Sequence, residues 1–162
     1  MIGVFAGTFD PFTLGHKEVV EKALGMFSEI HIVIAVNPEK KCMFSQDIRE
    51  EIIRQTFKNN QKIKVSYWEG LVVDYCSKVG ASHIIRGLRG SIDFGYENNI
   101  YHTNRMINHE IETVYFMSGA EALGISSSAV RELVKTKHWD EVERFMAPLG
   151  ISSINYRQFL KV

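Results

Sequence analysis

The chain has 162 residues, which suits one domain of ordinary size and leaves little room for a second. Hydrophobic residues make up 45% and charged residues 23%, the proportions of a globular chain rather than a disordered one. Lys+Arg 19 and Asp+Glu 19 cancel, which argues against a nucleic-acid coat or a polybasic membrane binder and makes any anion site a local cluster.

Ile2–Ala6 is a short apolar run ended by Gly7 and reads as a buried strand. From His16 to Phe27 the apolar positions Val19, Val20, Ala23, Leu24 and Phe27 recur at helical spacing. Ile30–Val36 is the clearest strand, stopped by Asn37-Pro38. Ser45 is placed to cap a helix carrying Ile48, Ile52, Ile53 and Phe57 on one face. Ile63, Val65 and Tyr67 alternate as a strand does, and Leu71–Val79 reads as a helix closed by Gly80. A strand at His83–Arg86, a polar helix from about Ile92 to Asn108 and a strand at Thr113–Met117 follow. Two or three short helices after Ser126 complete the chain.

Alternation of strand and helix, repeated about five times, predicts an α/β domain: a Rossmann-like, doubly wound, five-stranded parallel sheet with helices on both faces. In such sheets the ligand sits beyond the carboxyl ends of the strands, where strand order reverses. Four polar or glycine-bearing segments each follow a predicted strand: Gly7–His16, Asn37–Phe44, Arg86–Asp93 and Ser118–Ser128. They are expected to converge on one crevice.

The chemistry of these segments is that of an anion site. Gly7 permits a tight turn, and His16 falls in the first turn of the first helix, where free N–H groups and the helix dipole favour a phosphate. Lys40 and Lys41 place positive charge at the end of a strand. Arg86 and Arg89 flank Gly87, and two guanidinium forks suit a triphosphate; the alternative is a surface pair bridging to Asp93 or Glu97. Ser126-Ser127-Ser128 opens a helix with hydroxyls and unpaired N–H groups, though simple capping needs only one of the three. His102 and His109 lack a companion for zinc, Trp68 and Trp139 read as packing residues, and neither Ser127 nor Cys76 sits in a nucleophile motif. Cys42 and Cys76 stand alone, no apolar run approaches the roughly 20 residues of a membrane span, and the start lacks a basic secretory leader. A cytoplasmic protein with reduced thiols is expected.

The segment Gly7–His16, with its Thr13-x-Gly15-His16, resembles the signature of the nucleotidyltransferase superfamily related to class I aminoacyl-tRNA synthetases. Together with Asn37–Phe44, Ile85-Arg86-Gly87-Leu88-Arg89, Asp93–Glu97, Met106 and Gly124–Glu132, it resembles the phosphopantetheine adenylyltransferase family over roughly the first 135 residues. The resemblance implies a single nucleotidyltransferase domain over 1–162, helical from about 126, that moves AMP from ATP to 4′-phosphopantetheine. It implies catalytic roles for His16, Lys40 and Arg89, and phosphopantetheine contacts at Thr8, Lys40, Val72, Arg86 and Asn104. It implies an ATP site formed by Thr8, Phe9, His16, Gly87, Leu88, Arg89, Glu97, Ala122, Leu123, Gly124, Ile125, Ser126, Ser127 and Ser128. Mg²⁺ is expected to ride on the ATP phosphates with no dedicated metal ligands, coenzyme A is a possible feedback ligand, and family members form homohexamers. No nucleic-acid or membrane partner is expected. Ala6, Gly95 and Ala122 depart from the family pattern without removing a phosphate-handling residue. Two alternatives stay open: a paralogue acting on nicotinamide mononucleotide or a polyol phosphate, and a silent binder of ATP or coenzyme A.

Overall fold

Runs of β-branched residues form the strands, and the intervening amphipathic segments form the helices that cover them. The computed structural model describes residues 1–36, 41–119 and 124–146. In chain order the elements are β1 (Ile2–Gly7), α1 (Leu14–Ala23), β2 (Glu29–Val36), α2 (Gln46–Thr56), β3 (Ile63–Glu69), α3 (Val72–Val79), β4 (His83–Leu88), α4 (Ser91–Ile107), β5 (Glu112–Met117), α5 (Ser127–Lys135) and α6 (Trp139–Met146). The five strands are all parallel, in the order β3-β2-β1-β4-β5, so the direction of winding reverses between β1 and β4. The doubly wound sheet read from the sequence is the sheet observed.

Both faces are apolar because successive strand residues point to opposite sides. Phe5, Ile30, Ile32, Ile34 and Ile85 pack under α1, α2, α5 and α6, while Val4, Ala6, Val33 and Ile84 pack under α3. Trp139 joins the first cluster and Trp68 the second, as packing residues.

Several element boundaries differ from the sequence reading by a few residues, and two of these differences have a packing or pairing cause. The helix expected over His16–Phe27 ends at Ala23, and Phe27 is buried in the turn that follows. The strand expected at His83–Arg86 continues through Gly87 and Leu88, because β5 supplies partners there: Gly87 pairs with Phe116 and Leu88 with Met117. The expected caps are in place: the Ser45 hydroxyl accepts from Ile48 N–H at 3.4 Å, and Gly80 closes α3 at φ 70°. That left-handed conformation is one a side chain disfavours.

Candidate active site

Two cavities open at the carboxyl ends of β1 and β4, at the reversal point of the sheet. The larger, of about 400 Å³, is lined by Thr8, Phe9 and His16 from the first loop and helix and by Arg86, Gly87 and Arg89 from the end of β4. Ile125 and the serines 126, 127 and 128 close it from the start of α5, and Glu97 enters from α4. The smaller, of about 200 Å³, is lined by Val72, Asn104 and again Arg86 and Glu97. Ala6, Arg86 and Glu97 belong to both walls, so the cavities adjoin through the Arg86 side chain.

His16 owes its orientation to the helix start. Thr13 precedes α1, and His16, three residues later, reaches back so that Nδ1 lies 3.0 Å from the Thr13 N–H and 3.0 Å from its hydroxyl. A backbone N–H has only a hydrogen to offer, so Nδ1 accepts and the ring proton sits on Nε2. This is a capping box with histidine in the place usually taken by Glu or Gln. The ring packs against Phe9 and Phe12 at centroid distances of 5.1 and 5.2 Å. Burial first, then the Arg89 and Arg86 charges, lower its pKa to about 4. At neutral pH His16 is an uncharged hydrogen-bond donor.

The two arginines are held by carboxylates of α4. Arg86 grips Glu97 with two N–H groups, Nε at 2.7 Å from Oε2 and Nη2 on Oε1, while Nη1 donates to the Ala6 carbonyl at 3.1 Å. Glu97 is buried in this pair. Arg89 is half exposed, and its Nε meets Asp93 at 3.1 Å; the hydrogen bond from Arg89 keeps the Asp93 carboxyl below the usual carboxylate range. The bridging alternative weighed for this pair is thus realised, and both arginines line the larger cavity all the same.

The three serines differ in what they have left to offer. Ser126 caps α5, its hydroxyl accepting from Ala129 N–H at 3.1 Å. The Ser127 hydroxyl donates to the Pro11 carbonyl at 2.8 Å. The Ser128 hydroxyl accepts from Arg131 at 3.0 Å, which leaves its own hydrogen for a ligand. The first N–H groups of α5 are also available, as at any helix start.

The walls of the cavities leave out some of the expected residues. Leu88 does not line the larger cavity: its side chain is buried, and its carbonyl accepts from Ser118 N–H. Gly124 lies on the surface outside the cavity wall. Thr8 lines the larger cavity and not the smaller. Gly87 lines the cavity, and its lack of a Cβ is needed by α1 as well, since a Cβ there would lie 2.8 Å from Val19 Cγ2. Lys40, Ala122 and Leu123 lie outside the described residues.

The structure adds residues that the sequence reading did not assign. Tyr96 and Ser118 border the larger cavity, and Tyr101, Thr113 and Tyr115 the smaller. Glu97, Ile100, Tyr101 and Asn104 fall at helical i, i+3, i+4 and i+7 spacing, a signal present in the sequence for one face of α4. Behind the wall, the buried Asp10 carboxylate accepts the N–H groups of Met43 and Phe44, each at 2.9 Å, and ties the segment before α2 to the first loop.

Over residues 4–133 the sequence matches the cytidylyltransferase-like family. A phosphopantetheine adenylyltransferase of Flavobacterium psychrophilum is 45% identical over 132 residues, covering 82% of this chain and 87% of the relative. One of Flavobacterium johnsoniae is 44% identical over 140 residues, covering 86% and 90%. Among solved structures, a bifunctional NMN adenylyltransferase/ADP ribose pyrophosphatase of Francisella tularensis, complexed with AMP and a manganese ion, superposes with a TM-score of 0.61 at 16% identity. The match covers 83% of this chain and 41% of that one. A lipopolysaccharide core biosynthesis protein of Thermoplasma volcanium gives 0.54 at 16% identity, covering 74% and 98%. At such identity the two structures speak for the fold alone. The family match and the close relatives, over most of a chain folded in this way, make it a member of the cytidylyltransferase-like nucleotidyltransferases and, within them, of the phosphopantetheine adenylyltransferase family.

Proposed function

We propose that the chain transfers AMP from ATP to the phosphate of 4′-phosphopantetheine, giving dephospho-CoA and pyrophosphate in coenzyme A biosynthesis. Besides kinship, one observation carries the reading: two adjoining cavities share Arg86, so a nucleotide in the larger and a phosphorylated acceptor in the smaller meet at one guanidinium. The reaction needs that adjacency. An acceptor phosphate oxygen attacks the α-phosphorus, the new P–O bond forms, and the bond to the β-phosphate oxygen breaks with its electron pair leaving on pyrophosphate.

The acceptor is already anionic at neutral pH, so no general base is required, and a base is not what His16 offers with its pKa near 4. The neutral ring instead presents Nε2–H to the oxygens that gain charge at the α-phosphorus. Arg86, which has N–H groups left after gripping Glu97 and Ala6, holds the acceptor's phosphate and sets the distance between the reacting groups. Arg89, half exposed, exchanges Asp93 for the polyphosphate. The start of α5 and the Ser128 hydroxyl receive the departing pyrophosphate. The smaller cavity, with Val72 and Asn104, takes the pantetheine arm.

Both carboxylates of the larger cavity, Asp93 and Glu97, are engaged by arginines, so Mg²⁺ enters with ATP as part of the substrate rather than on a set of protein ligands. We also place the enzyme in the cytoplasm and as a homo-oligomer. Among the described residues no helix is long and apolar enough to cross a membrane. Phe94, Met106 and Ile107 of α4 are exposed apolar side chains that a second copy would cover, which light scattering of the purified protein tests.

The deciding assay offers ATP or CTP with 4′-phosphopantetheine, nicotinamide mononucleotide or glycerol phosphate and measures pyrophosphate release. Release with ATP and phosphopantetheine alone is expected. Release with another acceptor would assign a different member of the superfamily, and binding without release a silent sensor.

A further inference from the structure

The end of β1 and the first loop are held by arginines of three different elements. Arg86 of β4 donates to the carbonyl of Ala6, Arg49 of α2 to that of Thr8 at 2.7 Å, and Arg131 of α5 to that of Asp10 at 2.6 Å. Arg86 lines the cavities and Arg131 lies 3.9 Å from the Asp10 carboxylate. Arg49 has neither explanation. It is buried, at 6% exposure, lines neither cavity, and has no carboxylate within ion-pair distance among the described residues. Among the described residues its buried Nε has no hydrogen-bond partner, and the Thr8 carbonyl is the only acceptor its side chain has. A guanidinium held in the interior with so little compensation is unfavourable for folding, so its retention calls for another reason.

The reason lies in the peptide unit it touches. The Thr8 carbonyl and the Phe9 N–H belong to one trans peptide and point in opposite directions. Arg49, which lines neither cavity, meets the carbonyl, so the Phe9 N–H points away from Arg49, on a peptide whose two residues both form part of the wall of the larger cavity. Phe9 has φ 49°, in the left-handed region that a bulky side chain disfavours, and its ring is locked among Phe5, Phe12 and His16. Among the described residues the Phe9 N–H has no acceptor. A cationic donor on the carbonyl end of a peptide polarises the N–H at its other end.

We propose that Arg49 is a positioning residue: from outside the site it fixes and polarises the Thr8–Phe9 peptide, so that the Phe9 N–H is a strong donor to the α-phosphate oxygen that gains charge during transfer. The inference rests on the nucleotidyl-transfer reading of the larger cavity. It assigns a function to α2, which touches neither cavity through this residue, and it accounts for a buried cation that packing alone does not explain.

The test compares wild type with R49M, R49Q and R49K, using steady-state kinetics, melting temperature and the Phe9 amide signal in ¹H–¹⁵N spectra with and without ATP. Deleting a whole oxyanion donor lowers kcat by roughly 10²–10³-fold; here the N–H stays and only the charge behind it goes, so R49M and R49Q should lose about tenfold in kcat. Their KM values should stay within about threefold, the Phe9 amide should shift less on adding ATP, and melting should remain cooperative. R49K, which keeps a cation, should recover part of the loss. Unchanged kcat in a folded R49M or R49Q, or a Phe9 amide that responds to ATP as in wild type, overturns the proposal. If R49M does not fold, R49Q decides. If wild type itself shows no transfer, the reading of the reaction fails, and the amide response to ATP still decides the role of Arg49.

Discussion

Replacing His16 by Ala removes the Nε2–H donor while leaving Arg86, Arg89 and the serines in place, so the loss should fall on turnover and not on binding. A single preorganised donor to a developing oxyanion contributes about 3–4 kcal/mol, or roughly 10²–10³-fold in kcat, and ATP affinity should stay within a few fold. The structure adds a pH signature. The His16 pKa is lowered to about 4 from 6.5, so the folded state resists a proton that the unfolded state takes up below pH 6.5. The stability linked to this group is therefore complete above pH 6.5 and is lost as pH falls toward 4, by on the order of 3 kcal/mol in all. The assay is an NMR titration of the free enzyme's His16 ring, paired with pyrophosphate-release kinetics of wild type and His16→Ala. His16 should show the Nε2-protonated neutral tautomer at pH 7 and no inflection near 6.5. A proton on Nδ1, an ordinary titration near 6.5, or normal turnover in the variant would refute the reasoning.

Asp93→Asn releases Arg89 from a half-exposed ion pair, and such pairs contribute about 0–1 kcal/mol, so ATP should bind up to about fivefold more tightly in calorimetry. Weaker binding would mean that Asp93 itself faces the nucleotide's metal. Asn104→Ala should raise KM for phosphopantetheine by roughly two- to tenfold, the equivalent of one net hydrogen bond, with KM for ATP unchanged; a rise in the ATP value instead would exchange the two cavities. Gly87→Ala forces a Cβ to 2.8 Å from Val19 Cγ2 and should destabilise by about 1–3 kcal/mol, seen as a melting temperature lower by several degrees. Parent-like melting would show that α1 yields there.

The sheet, its winding and the convergence of four loops were legible because period and strand-end position are local properties of the sequence. The extent of β4 was not: Gly87 ends the apolar pattern, and only pairing with β5 extends the strand through Leu88, which turns the Leu88 side chain into the packing and away from the cavity. Phosphate-handling residues were legible as types on loops, and thirteen positions assigned through the family resemblance line a cavity wall: Thr8, Phe9, His16, Val72, Arg86, Gly87, Arg89, Glu97, Asn104, Ile125 and the three serines 126, 127 and 128. What each serine hydroxyl has left to give depends on Pro11 and Arg131, which no spacing discloses. The supports of the first loop were equally hidden, since Arg49 is 41 residues from Thr8 and Arg131 is 121 from Asp10. Such contacts follow from the fold and not from the sequence pattern. The histidine tautomer stands between the two cases, since Thr13 and His16 are three apart and form a capping box that the helix start alone suggests.

The most direct measurement incubates the purified protein with ATP and 4′-phosphopantetheine carrying ¹⁸O in its phosphate, and follows the product by ³¹P NMR. Direct attack of the acceptor phosphate on the α-phosphorus predicts dephospho-CoA with an ¹⁸O-induced shift on both of its bridged phosphorus atoms, together with unlabelled pyrophosphate. No dephospho-CoA, AMP in its place, or a product whose adenylyl phosphorus lacks the shift would contradict transfer between the two cavities.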